Sequence, residues 1–205
     1  MGRKYKLKRR AEHQEETRRR IVEAAVELHE SVGVAYTTIR AIAERARVER
    51  ATVYRHFPDE RSLFTACTSH YLAANPPPDP APLQGITDPE QRLKVGLAAI
   101  YAYHRRTEDM TSKAQRDLPQ FPALAEVLAP YDEHWARLGA VLAAGWQTQQ
   151  GDRKLVGAAI GHAMTFQTWR SLVREQELDD SEAVQLMVTM IRCVAQGSED
   201  ATTPH

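Results

Sequence analysis

Between positions 50 and 56 the chain gathers Arg50, Thr52, Tyr54, Arg55 and His56: two guanidinium groups, a hydroxyl, a phenol and an imidazole. Arginine can donate paired hydrogen bonds to guanine, and threonine offers a methyl to thymine or a hydroxyl to either partner. Tyrosine and histidine suit phosphate oxygens, which fix register and carry no sequence information. The chemistry of this set is recognition of a nucleic-acid surface. Catalysis would need a nucleophile, a paired acid and base or a metal-ligand spacing. No P-loop, Gly-rich dinucleotide turn, H-E-x-x-H or G-x-S-x-G is present.

Those side chains must be held by their neighbours. Thr37 or Thr38 can cap a helix running to about Arg45, with Ile39, Ile42 and Ala43 facing inward. Residues 46–48 are short enough for a turn. A second helix over 50–56 would bury Val53 and Phe57, four apart, before Pro58 ends it. Asp59 can cap a third helix from Glu60 that turns Leu63, Phe64 and Cys67 inward. Helix, turn, short helix and supporting helix is helix-turn-helix architecture, whose second helix enters the major groove. Upstream, residues 1–13 read as a disordered basic arm, with Arg3, Lys4, Lys6, Lys8, Arg9 and Arg10. A helix over 14–32 follows, with Ile21, Ala25, Leu28 and Val32 on one stripe and Arg18, Arg19 and Arg20 near its start. Gly33 stands where a left-handed cap is common.

The run IAERARVERATVYRHFPDERSLF resembles the DNA-binding segment of the TetR family of bacterial transcriptional regulators, whose pattern is close to IA-xx-AGVS-xx-T-x-Y-xx-F-xx-K-xx-L. The resemblance covers residues from about 18 to 67, roughly a quarter of the chain. It implies a phosphate contact for Thr38, a base-edge or phosphate contact for Arg40, and base-edge contacts for Arg50 and Thr52. It further implies phosphate contacts for Tyr54 and His56, with Arg55 suited to either task. Three residues depart from the pattern: Arg47 replaces the usual turn Gly, Glu49 the usual Ser cap, and Glu60 the usual phosphate-binding Lys. A side chain on a left-handed turn residue costs on the order of 1 kcal/mol. Glu49 is a poor cap, although its charge suits the helix dipole.

Charge follows the same division. Residues 1–71 hold fifteen Lys and Arg against ten Asp and Glu, and the remainder holds twelve against seventeen, so a basic head adjoins an acidic body. No apolar run reaches the ~18–20 residues of a membrane span. No apolar segment of signal type follows MGRKYKLKRR, which argues for the cytoplasm. Cys67 and Cys193 do not form a disulfide framework.

Beyond the head, the prolines at 76, 77, 78, 80 and 82 read as a stiff extended junction. The expected domains are 1–72, a junction at 73–87, and a body at 88–205. The body should contain a helix over 87–108 with Leu93, Leu97, Ile100 and His104 on a stripe. Shorter pieces broken by Pro119, Pro122 and Pro130 follow, then a helix over 131–149 ended by Gly151. Two last helices, 153–175 and 181–196, carry the stripes Val156, Ile160, Ala163, Gln167 and Val184, Met187, Ile191, Val194, the last helix capped by Asp180 or Ser181. Gly157 and Gly161 would admit a close neighbour, and the family resemblance implies that these two helices pair with their copies in a homodimer.

Tyr101, His104, Trp135, Trp146, His162, Phe166 and Trp169 could line a pocket for a small-molecule effector, or be ordinary core. His104, His134 and His162 lack metal-ligand spacing, and no cofactor is indicated. The sequence reading is therefore an all-α protein: a three-helix, helix-turn-helix DNA-binding domain followed by a larger helical ligand-binding and dimerisation domain. Its function would be that of a non-enzymatic regulator, a repressor that binds a palindromic DNA operator as a homodimer and is released by an effector. Two other readings stay open: a helical small-molecule-binding or modifying protein with a vestigial helix-turn-helix, and an architectural DNA binder without an effector.

Overall fold

The computed structural model describes residues 2–146 and 150–196, with side chains from residue 7 onward and at Tyr5, save 150–152. Every regular element among the described residues is helical. Contacts divide the chain into two compact units, residues 1–76 with 108–129, and residues 77–107 with 130–205. This differs from the contiguous 1–72 and 88–205 expected from the proline run. Residues 108–129 join the N-terminal unit because they supply most of one of its apolar clusters. There Val34 and Phe64 are buried with Leu124, and Leu118, Phe121, Val127 and Leu128 pack around them.

The first unit opens with α1, Gly2–Ser31. Residues 2–13 are therefore helical, against the disordered arm expected. Straight-chain Lys, Arg, Glu and Gln are good helix formers, and Lys8 and Glu12 add an i,i+4 ion pair. Gly33 follows with φ 94° and ψ 167°, a mirror-extended conformation rather than the left-handed cap expected. Val32, past the helix end, stays 42% exposed and leaves the apolar stripe. Then come α2 (Ile39–Ala46), α3 (Arg50–His56) and α4 (Glu60–Ala74). Thr38 caps α2 by accepting from the Ala41 amide, and Asp59 caps α4 by accepting from Ser62. Ile21, Ala25, Ile42, Ala43, Val53, Phe57, Leu63 and Cys67 form their common core. Burial pushes the Cys67 thiol up to about 12, so this cysteine is a small apolar residue.

Helix α7, Glu108–Asp117, ends on a buried carboxylate. Asp117 Oδ2 accepts from the Ala35 amide at 3.0 Å, and its two oxygens accept from Arg116 Nε and Nη2. Arg116 Nη2 also donates to the Val32 carbonyl at 3.0 Å. The Arg116 hydrogen bonds hold the Asp117 carboxyl below the usual carboxylate range, aided by the Ala35 amide and opposed by burial. A Cβ on Gly33 would lie 2.2 Å from Arg116 Nη2 and 2.5 Å from Asp117 Oδ2, so the loop before α2 is shaped around this pair. His29 lies buried beside the Phe64 ring, and burial lowers its imidazole to about 4 against the pull of Asp117.

In the second unit, the proline run gives way to a short α5, Ala81–Gln84, where an extended segment was expected. Helix α6, Pro89–Arg106, is capped by Asp88 and buries Leu93, Leu97, Ile100, Tyr101 and His104. Helix α8, Pro122–Ala143, passes through Pro130 without a break, so the expected stop there is absent. A proline removes one ladder bond, and burial of the apolar face on either side sustains the helix. The helix ends at Ala143, earlier than expected, and residues 147–149 of the expected span lie outside the described residues. Gly151 is inside α9, Gln150–Ala163, and is no helix stop.

The expected single helix over 153–175 is instead α9, a break at Met164 and Thr165, α10 (Phe166–Arg170) and a π turn (Ser171–Glu175). Thr165 caps α10 by accepting from Thr168, and the new phase leaves Gln167 exposed. Helix α11, Asp180–Gln196, is capped by Asp179, which exchanges hydrogen bonds with Glu182. Asp180 and Ser181, the two residues expected to cap it, lie inside the helix, and Asp180 accepts two bonds from Arg105 and one from Trp169 Nε1. Gly96 lets Leu142 approach α6, since a Cβ there would sit 2.4 Å from Leu142 Cδ2.

Two consequences for stability follow from the first unit. Gly33→Ala should destabilise the protein by about 2 kcal/mol, read as a lower urea midpoint, because it combines positive φ with a clash. His29 should make the protein acid-labile. Its folded value lies below the ordinary 6.5, so as pH falls from 6.5 towards 4 the unfolded imidazole takes up a proton that the buried one refuses. Stability should drop by on the order of 2 kcal/mol between pH 7 and 4.5, and His29→Gln should flatten that part of the profile.

Candidate nucleic-acid interface

Seven residues are too few for α3 to be stable alone. Burial of Val53 at 0% and Phe57 at 2% exposure fixes it on the unit, and this determines which side chains face outward. Arg50, Tyr54 and Arg55 are exposed, while Thr52 and His56 are half-buried. The five expected contact residues of this helix therefore lie together on the surface not used for packing. Tyr54 is 49% exposed, so its ring is not spent on the core. Arg55 Nη2 reaches Thr52 Oγ1 at 3.5 Å. His56 is lowered from its ordinary value by desolvation and then by Arg55 and Arg18, against Glu15.

Thr38 and Arg40, at the start of α2, are exposed as well. The Thr38 hydroxyl already accepts from Ala41, and Arg40 is paired with Glu44 at 2.8 Å. An exposed i,i+4 pair of this kind is worth only ~0.3–0.5 kcal/mol and yields readily to a phosphate. The three departures from the family pattern are also visible. Arg47 adopts φ 53°, ψ 50°, the left-handed region, and its amide donates back to Ala43 and Glu44. Glu49 stands at the start of α3 with no side-chain capping bond. Arg61, beside the acidic Glu60, is engaged by Glu126 at 2.7 Å.

Sequence reasoning noted the Arg18–Arg20 cluster but gave it no task. Arg18 lies over the Phe57 ring at 4.4 Å and donates to the His56 carbonyl at 3.5 Å, holding the C-terminal end of α3. Its sign was the run of cations at 18–20, near the start of the helix expected over 14–32, but only the fold brings Arg18 to Phe57. Arg116 and Asp117 had no signal at all, because their partners are eighty residues away in the chain.

The residues expected around an effector are only partly brought together. His104, 4% exposed, is surrounded by Trp135 stacked at 5.9 Å, Phe166 edge-on at 5.6 Å, Trp169 at 6.0 Å and Tyr101 at 6.4 Å. Tyr103 joins them, hydrogen-bonded to Tyr131, and the sequence reading had named neither for this role. Trp146 instead donates to the Leu142 carbonyl at the end of α8, and His162 is exposed and meets Thr168. His134 is bound to the Pro78 carbonyl, so the three histidines of the body do not converge. Burial lowers His104, and its Nε2 meets the Met164 carbonyl. A neutral ring donating from Nε2 leaves Nδ1 as an acceptor, and that buried atom has no partner.

The family model for bacterial regulatory proteins of the tetR family matches residues 21–67. HTH-type transcriptional regulator HbdR from Aromatoleum sp. (strain CIB) is 30% identical over 114 residues, 56% of this chain and 50% of that protein. HTH-type transcriptional repressor KstR from Mycolicibacterium smegmatis is 32% identical over 107 residues, 52% of each. The chain thus spans about half the length of these relatives. A TetR-like transcriptional regulator from Rhodococcus sp. RHA1 shares the fold with TM-score 0.62 at 18% identity, over 89% of this chain and 97% of that one.

Arg47→Gly should raise stability by about 0.5–1 kcal/mol in thermal melts, because glycine adopts the left-handed turn without a Cβ penalty. Arg47→Ala, which keeps the penalty, should give no such gain. Its helix-turn-helix segment, residues 21–67, thus resembles that of the tetR family of bacterial regulatory proteins.

Proposed function

We propose that this protein is a cytoplasmic DNA-binding transcriptional regulator, a repressor that holds a palindromic operator as a homodimer and releases it on binding a small-molecule effector. One observation carries the proposal. Helix α3 is fixed by Val53 and Phe57 while Arg50, Thr52, Tyr54 and Arg55 remain available for base edges and phosphates. The repressor named among its relatives, KstR, supports the sign of regulation.

The dimer reading is supported by the second unit. Leu155, Leu186 and Met190 on α9 and α11 are 57%, 41% and 52% exposed, and a Cβ on Gly157 or Gly161 would meet nothing within 4 Å. These exposed apolar side chains, and the open space over Gly157 and Gly161 on another side of α9, leave room for a second copy of the same helices. Two-fold symmetry would then set the recognition helices about one DNA turn apart, ~34–36 Å, or a multiple of it.

The effector reading is supported by the ring cluster around His104. A compound with a flat apolar frame and one hydrogen-bond donor would complement both the rings and the unpartnered Nδ1. It lowers DNA affinity to the extent that it binds the released state better than the DNA-bound one.

Selecting bound duplexes from a random pool tests the function. The expected product is an inverted repeat with half-sites one or more helical turns apart; equal retention of unrelated duplexes would favour an architectural binder, and no retention a vestigial domain. Leu155→Glu combined with Met190→Glu should yield monomers in sedimentation and at least a hundredfold weaker operator binding. A dimer that persists in this variant would place the interface elsewhere.

A further inference from the structure

We infer that the cleft between α1 and α3 is a phosphate-type oxyanion site, which shares Thr52, Arg55 and His56 with the contact face of α3 and adds His13 and Arg20 of α1. The inference rests on the nucleic-acid reading for its biological ligand, but the site itself is defined by its own chemistry. A cavity of about 220 Å³ opens there, lined by His13, Gln14, Thr17 and Arg20 of α1 and by Val48, Glu49, Thr52, Arg55 and His56 around α3. This volume accommodates a tetrahedral oxyanion with a few waters.

Its polar groups are mostly donors. Arg20 and Arg55 bring guanidinium groups, His13 and His56 imidazoles, and Thr52 a hydroxyl, while Glu49 is the one carboxylate among the lining residues. Arg20 Nε is buried and has no hydrogen-bond partner among the described residues. An unpaired buried donor is costly, and an oxyanion in the cleft would satisfy it with a charge-assisted bond. Arg18 stands behind His56 and adds to the positive potential, and Glu15 opposes it. The excess of cationic over anionic groups at the cleft selects an anion over a cation.

The helix places more positive charge in line with this cleft. Arg10 precedes Thr17 by seven residues, two turns of α1, and so shares the stripe that lines the cavity. Its side chain is exposed. Because residues 2–13 are helical, this basic stripe runs directly on from the cavity. A phosphodiester strand lying along it could occupy the cleft with one phosphate and meet Arg10 with the next. A free phosphate would use the cleft alone.

The test uses the full chain, with Arg20→Gln and the exposed His13→Ala as variants. Inorganic phosphate is titrated against chloride at matched ionic strength while the His13 and His56 ring resonances are followed. The slope of log affinity against log salt is measured on the duplex selected from a random pool. Saturable phosphate shifts that Arg20→Gln abolishes and His13→Ala weakens, together with a salt slope about 0.9 smaller in Arg20→Gln, establish a DNA phosphate at the site. Phosphate shifts with an unchanged slope establish the site with a free oxyanion as its ligand. A reduced slope without phosphate shifts establishes it for the phosphodiester alone. If neither changes, the site is refuted; should the wild-type chain still select a duplex, the regulator reading stands without it.

Discussion

Burial of Val53 and Phe57 is the constraint on which the recognition surface depends. A helix of seven residues gains too few hydrogen bonds to offset the cost of ordering it. It persists because two apolar side chains four apart enter the core made by Ile21, Ala25, Ile42 and Leu63. The same burial sets its rotation, so the outward position of Arg50 and Tyr54 is a by-product of packing. Arg18 adds a second restraint by covering Phe57 and reaching the His56 carbonyl. A contact surface built this way is rigid before any ligand arrives, which spares binding the entropy of ordering it.

Most of this head was legible in the sequence because its determinants are local. Caps at Thr38 and Asp59, the stop at Pro58 and the four-residue spacing of Val53 and Phe57 all act within one or two turns. The left-handed turn at Arg47 was readable for the same reason. What escaped were long-range pairings. Nothing near Gly33 announces Asp117, and nothing near Asp117 announces Ala35. The basic N-terminal stretch misled because charge density alone resembles a disordered arm, whereas its Lys, Arg, Leu and Ala residues are good helix formers.

The body was less legible because its punctuation is ambiguous. Pro130 and Gly151 look like stops and sit inside helices, while Met164 and Thr165 interrupt a stripe that reads as continuous. The side chains named for an effector separated by environment rather than by type. Four aromatic residues gathered around His104, while Trp146 and His162 found local partners. Aromatic content shows how much apolar area a chain can bury, and only packing decides which rings share a wall.

The discontinuous first unit also bears on how the protein is made. Its apolar cluster of Val34 and Phe64 is completed by Leu124, and its loop before α2 is tied down by Asp117. A ribosome delivers the helix-turn-helix long before it delivers those residues. The Val34–Phe64 cluster and the loop before α2 must therefore wait until the intervening α5 and α6 and then residues 108–129 have emerged, whereas the core around Val53 and Phe57 needs α1 to α4 alone. Fixing of the loop before α2 is thus a later event in synthesis than assembly of the core beneath α3.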